Sequence, residues 1–215
     1  MILVKNFVSG GMRNKINYPS AERNKFFILE VLRKHVDGGK AAKMLEIASG
    51  TGQHAAYFGA KFPRLTVQPS EIEEGMLESI GAYASEVSTK NVKPPLKIDV
   101  NTDPSRWGTE ADYDFVLNVN MFHVTPLACS VAFFKNCSKI LKPGGLLFTY
   151  GPYANCGVLE PESNVDFDRR IRQRDPNCGV RDIQDLSKIA AEHGVSLRAI
   201  YDLPANNKCL VWQKA

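Results

Sequence analysis

The chain alternates short apolar runs with amphipathic segments, and this alternation limits its fold more than any other feature of the sequence. Apolar residues recur at helical spacing over 21–36, where Ser20 is the predicted N-cap, and an apolar run follows at 43–47. Five strands that alternate with helices require a mainly parallel sheet with helices on both faces. The predicted strands are 43–47, 65–67, 95–98, 113–117 and 146–150, and the predicted helices are 21–36, 52–61, 73–87, 127–141 and 182–193.

The C-terminal part predicts a different connection. Two last strands, 195–201 and 209–212, are joined by a segment that is too short for a parallel crossover, which needs a dozen residues or more. They should form a hairpin, which makes the last strand antiparallel to its neighbour. The stretch 151–181 is predicted to be irregular, and its length makes it a candidate for function. The sequence therefore predicts an α/β fold with residues 20–215 as a single domain.

Residues 1–19 are predicted to be a disordered leader. They contain Lys5, Arg13 and Lys15, and no acidic residue precedes Glu22, a composition that also fits a mitochondrial transit segment. We expect a cytoplasmic protein, with a mitochondrial location as the alternative.

Composition argues against several classes of partner. The net charge of +4 is small and spread along the chain, which argues against a nucleic-acid partner. No run approaches the roughly 18 uncharged apolar residues that span a membrane. The five cysteines form no C-x-x-C pair and no metal-ligand spacing, which indicates free thiols in a reducing compartment and predicts no metal.

The segment Glu46–Phe58, with the sequence EIASGTGQHAAYF, is the first candidate binding site. It joins a predicted strand to a predicted helix through a turn that contains Gly50 and Gly52. Glycines allow a ligand to approach the backbone closely, and the first N–H groups of a helix attract a polar ligand. The segment is therefore typical of a nucleotide-type cofactor site.

Ligands of such sheets bind beyond the carboxyl ends of the strands, and polar residues follow several predicted strands. Glu71 lies about twenty residues beyond the glycines, the spacing at which a carboxylate accepts the hydrogens of ribose hydroxyls. Asp99 follows the third strand and Asn118 the fourth.

Two cofactors fit the glycines. The run from Gly50 to Ala55 satisfies the dinucleotide pattern G-x-G-x-x-G/A, which would suit a nicotinamide-dependent oxidoreductase. Glu46, at the mouth of the loop, would repel a pyrophosphate but would attract a cationic ligand. S-adenosyl-L-methionine carries a sulfonium and an ammonium and no phosphate, so we favour it.

In this order, the motifs resemble those of class I S-adenosylmethionine-dependent methyltransferases. From Ala21 onward, nearly the whole chain also resembles the family of methyltransferase-like protein 26, whose substrate is not firmly assigned. The segments that carry these resemblances are Leu45–Gly52, Tyr113–Asn118 and Leu141–Gly145 for the superfamily, and Ala21–Asn24, Ala48–Ala56, Gln68–Ser70, Thr149–Tyr153, Ser163–Asp168 and Leu203–Cys209 for the family.

The resemblance implies a Rossmann-like class I methyltransferase fold, with a seven-stranded, mostly parallel sheet whose last strand is antiparallel. It implies that Glu46 helps to hold the cofactor's amino group, that Glu71 binds the ribose, and that Asp99 binds the adenine amine. Ala48 departs from the superfamily pattern, which has glycine there. The implied cofactor-binding residues are Glu46, Ala48, Ser49, Gly50, Thr51, Gly52, Glu71, Asp99, Val100 and Asn118, and Arg23 is a further candidate.

Methyl transfer needs an aligned nucleophile and, where this carries a proton, a base. His123 follows the fourth strand and is the candidate base, although a histidine bonded to backbone at a helix start explains it equally well. Tyr153 is a candidate for lining the acceptor pocket.

The function predicted from the sequence is methyl transfer from S-adenosylmethionine to a small molecule or a protein. No Asn-Pro-Pro-Tyr motif follows the fourth strand, which argues against methylation of nucleobases or glutamine. The alternative is a catalytically silent scaffold that binds the cofactor and engages a partner protein.

Overall fold

The computed structural model describes residues 15–215, and these form two compact units. The first unit ends at Ile98 and the second runs from Asp99 to Ala215. The predicted leader lies mostly outside the described residues. Its last residues precede the first helix, and Ile16 and Tyr18 donate backbone hydrogen bonds to side chains of the first unit.

The first unit contains three helices and three parallel strands. β2 pairs with β1 on one side and with β3 on the other. Its core consists of side chains such as Ile28, Leu45 and Phe58, which are fully or almost fully buried. In chain order the elements are α1 (Pro19–Leu32), β1 (Ala42–Ile47), α2 (Gln53–Lys61), β2 (Leu65–Glu71), α3 (Glu74–Glu86) and β3 (Leu96–Lys97).

The second unit carries the remaining strands and helices. Phe134 packs edge-on against Trp212 at 5.0 Å, and the indole N–H donates to the Thr149 hydroxyl at 3.0 Å, so the largest core side chain has its polar atom satisfied. After a 3-10 turn (Pro104–Arg106), the elements are β4 (Tyr113–Val119), α4 (Leu127–Ile140), β5 (Leu141–Gly151), β6 (Tyr153–Ala154), α5 (Glu162–Arg174), β7 (Arg181–Asp182), α6 (Ile183–Ala191), β8 (Val195–Leu203) and β9 (Asn207–Lys214).

The main sheet has seven strands in the order β3-β2-β1-β4-β5-β9-β8. β9 is antiparallel to both β5 and β8, whereas β4 and β5 are parallel. The predicted α/β fold with an antiparallel last strand is therefore confirmed. β6 and β7 form a separate two-stranded parallel sheet. Within residues 15–215, no helix combines the length and apolar character needed to cross a membrane.

Three local predictions were wrong. The N-cap of α1 is Tyr18 rather than Ser20, because Pro19 occupies the first turn, where its missing N–H costs nothing. Pro143, Gly144 and Gly145 lie within β5 instead of preceding it. The stretch 151–181 is not irregular throughout, since it contains the 13-residue helix α5.

Candidate functional site

The turn between β1 and α2, residues 48–52, is the glycine loop. Ala48, Gly50 and Gly52 all have positive φ angles, of 58°, 56° and 91°. The loop is held to the end of β2, because the Ser49 N–H donates to the Ser70 carbonyl at 2.8 Å. Ala48 thus occupies a left-handed conformation that favours glycine, which is the residue that the superfamily pattern has there.

The two glycines of the loop meet different surroundings. A Cβ on Gly50 would find no atom of residues 15–215 within 4 Å, so this part of the chain leaves the position open. A Cβ on Gly52 would lie 2.7 Å from the Cα of Ile80 in α3. Gly52 therefore permits close helix packing, whereas Gly50 leaves room for a ligand beside the backbone.

Glu71, the last residue of β2, is buried and has a satisfied carboxylate. Its Oε2 accepts a 2.8 Å hydrogen bond from the Gly50 N–H. Its Oε1 accepts from the N–H groups of Ile72 at 2.8 Å and Glu73 at 3.3 Å. These bonds fix the carboxylate beside the glycine loop, and lone pairs remain for further donors such as ribose hydroxyls.

Glu46, near the end of β1, is 1 % exposed, and neither of its carboxyl oxygens has a hydrogen-bond partner in the described part of the chain. The hydroxyl of Ser70 donates to the backbone carbonyl of Glu46 at 2.7 Å, not to its carboxyl group. Burial raises the pKa of Glu46 to about 8; the nearby Ser49 hydroxyl lowers it in part, and the charge of Glu71 raises it further. A buried carboxyl without a partner is costly, and a cationic ligand would supply one.

The first unit thus brings together seven residues predicted to bind the cofactor. Ser49 and Thr51 are buried, and the Thr51 hydroxyl donates to Gln53 Oε1 at 2.8 Å. The seven residues are Glu46, Ala48, Ser49, Gly50, Thr51, Gly52 and Glu71.

The segment Ala21–Asn24 of α1 contacts the start of α2. Asn24 Oδ1 lies 2.7 Å from His54 Nε2, and burial lowers the pKa of His54 to about 4, so the neutral ring donates this bond. Gln53 bonds to Glu22. Arg23 is exposed on the same helix, and its role toward a cofactor stays a prediction.

Ile72 is a candidate site residue that was not predicted from the sequence. It follows Glu71 directly, and its large apolar side chain is 48 % exposed. An exposed apolar side chain beside a fixed carboxylate provides a surface for a flat, weakly polar group. The only sequence signal was an isoleucine placed between two glutamates, Glu71 and Glu73.

The second unit contains the other predicted cofactor residues. Asp99 is half-buried, and its carboxylate accepts from the backbone and side-chain N–H groups of Asn101, both at 2.9 Å. Val100 is buried, and its carbonyl accepts from Asn136 at 2.9 Å. Asn118 is 1 % exposed near the end of β4. Their cofactor roles stay predictions.

His123 and Tyr153, the candidate catalytic residues, are both buried. The His123 ring packs edge-on against Phe167 of α5 at 5.4 Å. Burial, with a smaller contribution from the charge of Arg181, lowers the pKa of His123 to about 4. Burial raises the pKa of Tyr153 above its usual range. His123 is therefore an unprotonated imidazole at neutral pH.

Helix α5 accounts for the polar residues that the sequence placed in an irregular loop. Asp168 accepts from the Val180 N–H at 2.7 Å and pairs with Arg172 at 2.7 Å. Asn164 is buried and donates to the Asn206 carbonyl at 3.3 Å. Two of the segments that resemble the methyltransferase-like protein 26 family therefore meet at the turn between β8 and β9. They are Ser163–Asp168 and Leu203–Cys209.

Several solved structures, O-methyltransferases among them, share this fold. The pyocyanin biosynthetic protein PhzM matches with a TM-score of 0.68 and 16% identity over 92% of this chain and 59% of its own. An O-methyltransferase family protein from Burkholderia thailandensis matches with a TM-score of 0.76 and 14% identity, over 91% and 57%. The mitomycin 7-O-methyltransferase MmcR gives 0.74 and 14%, over 91% and 55%.

The chain spans less than three fifths of the length of these three proteins, and at such identities the likeness concerns the fold alone. A family model matches residues 15–214 of this sequence. The chain belongs to the family described as "Protein of unknown function (DUF938)".

Proposed function

We propose that the chain is an S-adenosylmethionine-dependent methyltransferase that acts on a small molecule or a protein. The single observation that carries this proposal is the buried carboxyl group of Glu46, which has no hydrogen-bond partner among residues 15–215 and belongs to the strand that leads into the glycine loop. An ammonium group would relieve the cost of that burial, whereas a pyrophosphate would increase it. This chemistry favours the sulfonium cofactor over a nicotinamide dinucleotide.

The candidate site residues of the first unit then bind different parts of the cofactor. Glu46 binds the amino group, the Glu71 carboxylate accepts the ribose hydroxyls, and Ile72 packs against the adenine ring. Gly50 lets the ligand lie against the backbone. Asp99, Val100 and Asn118 keep the roles that the resemblance implies, and the long segments that resemble methyltransferase-like protein 26 support a common function.

When bound, S-adenosylmethionine supplies an electrophilic methyl group on a sulfonium. We propose that His123 removes the proton of the acceptor. Its imidazole is neutral at neutral pH and can accept a proton, although its lowered pKa makes it a weaker base than an ordinary histidine. Tyr153 limits the space for the acceptor. The three structural neighbours are named as a biosynthetic protein, an O-methyltransferase family protein and an O-methyltransferase, which supports a small hydroxylated acceptor.

The second candidate function is a catalytically silent scaffold that binds the cofactor. It is favoured by the burial of both candidate catalytic side chains, since His123 is 5 % and Tyr153 is 4 % exposed. A base that an acceptor cannot reach would transfer no proton.

Ligand binding tests the proposal. S-adenosylhomocysteine at a hundred times its Kd should stabilise the fold by about 2.7 kcal/mol, seen as a raised melting temperature. NAD serves as the control ligand. A shift with NAD and none with millimolar S-adenosylhomocysteine would refute the proposal.

Transfer of a labelled methyl group from the cofactor to a cell extract separates the two candidates. The enzyme should label an acceptor, and His123→Ala should lose that labelling while it still binds S-adenosylhomocysteine. Cofactor binding without any labelling would favour the scaffold. Equal labelling by the wild type and by His123→Ala would remove the histidine from catalysis.

A further inference from the structure

Residues 16–24, the N-terminal strap, lie against the helices that flank the glycine loop. The backbone N–H of Ile16 donates to Ser79 Oγ in α3 at 2.9 Å, and that of Tyr18 donates to Gln53 Oε1 in α2 at 2.7 Å. Asn24 accepts from His54 at the other end of the strap. The strap is thus attached to both helices by hydrogen bonds.

Two of these side chains also bind the glycine loop, and both reach the same residue. Ser79 Oγ donates to the Thr51 carbonyl at 2.9 Å, while Gln53 Oε1 accepts from the Thr51 hydroxyl at 2.8 Å. Thr51 is therefore linked to Ile16 through the side chain of Ser79, which is the first route. It is linked to Tyr18 through the side chain of Gln53, which is the second route.

The Ser79 hydroxyl both donates and accepts a hydrogen bond, and its burial keeps it away from solvent. Ser79 is fully buried, and its hydroxyl donates its only proton to Thr51 while it accepts from Ile16. If the strap moved away, the hydroxyl would lose its donor. If the loop moved, the hydroxyl proton would lose its acceptor in a buried setting, where unmade hydrogen bonds are costly.

We propose that Ser79 and Gln53 are positioning residues that couple the strap to cofactor binding at the glycine loop. The docked strap holds Thr51 through both side chains in the conformation that accepts the ligand. This inference rests on the proposed function. Because coupling between two events is reciprocal, a ligand that prefers the docked state must in turn tighten the strap.

Hydrogen exchange on the full chain measures one direction of this coupling. S-adenosylhomocysteine should slow exchange of the amides in residues 16–24, including those of Ile16 and Tyr18, because binding lowers the population in which the strap is open. A residue with a merely structural role would give no ligand-dependent protection there.

Calorimetric titration measures the other direction. Ser79→Ala should weaken S-adenosylhomocysteine binding about fivefold or more, the lower end of typical coupling between sites, and should reduce the protection of residues 16–24. Ser85→Ala is the matched control, because Ser85 lies on the same helix and its hydroxyl donates locally to the Ala82 carbonyl at 2.8 Å. That control should leave affinity and protection unchanged.

The outcomes distinguish this inference from the proposed function. If the wild type binds S-adenosylhomocysteine but residues 16–24 gain no protection, the coupling is refuted while the proposed function stands. Equal affinity of wild type and Ser79→Ala refutes it as well. If the wild type binds no S-adenosylhomocysteine, both fail. Should Ser79→Ala not fold, Gln53→Met tests the second route with the same readouts.

Discussion

Glu46 and Glu71 lie near the carboxyl ends of two adjacent parallel strands, and their side chains differ in hydrogen bonding. The Glu71 carboxylate accepts three backbone N–H groups, whereas no group of the described residues bonds to the Glu46 carboxyl oxygens. Glu71 is therefore part of the loop's own structure. Of the two glutamates, Glu46 is the one whose hydrogen bonding and pKa a cationic ligand would change more.

The first prediction concerns the pH dependence of stability without ligand. The pKa of Glu46 is about 8 in the folded protein, above its ordinary value of 4.5. Between these values the folded state holds a proton that the unfolded state has lost, so this group makes stability fall as pH rises from about 5 to 8. Glu46→Gln should remove that fall and should raise the unfolding free energy at pH 8 by a few kcal/mol, since one pKa unit corresponds to about 1.4 kcal/mol.

Urea denaturation at several pH values measures this effect. Glu74→Gln is the control, because the Glu74 side chain is 81% exposed and should leave the profile as it is in the wild type. Parallel profiles for the wild type and Glu46→Gln would show that Glu46 titrates normally.

A second prediction separates the roles of the two glutamates in binding. S-adenosylhomocysteine has the α-amino group of its amino-acid part, which methylthioadenosine lacks, while both have an adenine and a ribose. Glu71→Ala should weaken both ligands by about 1.5–3 kcal/mol, the range for a hydrogen bond to a charged group. Glu46→Gln should weaken S-adenosylhomocysteine alone.

Isothermal titration of both variants with both ligands gives the four affinities. An equal loss for both ligands in Glu46→Gln would remove that side chain from the amino-group site. Unchanged affinity in Glu71→Ala would remove Glu71 from the ribose site.

Much of the first unit could be predicted from the sequence, because its signals are local. An apolar strand followed by small residues and two glycines allows few conformations, so the turn before α2 was expected. A carboxylate at Glu71, at the end of the second strand, was expected from its spacing of about twenty residues from the glycines. The bonding difference between Glu46 and Glu71 was not, since it depends on where the hydroxyl of Ser70 and the N–H of Gly50 point.

In the second unit, helix α5 escaped prediction because its apolar stripe is short. Only two of its 13 residues, Asn164 and Ile171, are buried, and one of these is polar. Asn164 owes its burial to a contact with Asn206, which is 42 positions away in sequence and cannot be read from local periodicity.

Strand β5 shows a related failure. Pro143, Gly144 and Gly145 normally end a helix and precede a strand, but here they belong to the strand. The pairing of β4 with β5 shifts register between Tyr113 and Phe115, and Gly144 has a φ of 75°. Such an irregularity lets a strand continue through residues that disfavour regular pairing.

A third prediction uses the two glycines of the loop. Gly50→Ala should lower the unfolding free energy by only about 1–2 kcal/mol, the cost of a left-handed backbone, because its Cβ meets no atom of the described residues within 4 Å. It should nevertheless weaken S-adenosylhomocysteine, since the methyl group fills the ligand's space. Gly52→Ala adds a clash with the backbone of Ile80 and should cost roughly 2–5 kcal/mol.

Urea denaturation and ligand titration of both variants provide the comparison. A Gly50→Ala protein that binds the ligand as tightly as the wild type would show that the ligand does not lie against this glycine. Equal destabilisation by both substitutions would contradict the packing role of Gly52.

The last prediction concerns His123, whose pKa of about 4 results mainly from burial against groups that include Phe167. Phe167→Ala should admit water to His123. Its pKa should then rise by about one unit toward 6.5, because desolvation is the largest cause of the shift. Phe167→Leu keeps most of the apolar cover and is the control. Between pH 6.5 and 4 the unfolded state holds more protons than the folded state, so this histidine makes stability fall as pH falls.

An NMR titration of the imidazole signals measures the pKa in the three proteins. If His123 is the base, Phe167→Ala should also move the acid limb of the methyl-transfer rate to higher pH, in step with the measured pKa. A histidine with a structural role alone would change its pKa and leave the rate profile where it was. An unchanged pKa in Phe167→Ala would contradict the assignment of the shift to burial under α5.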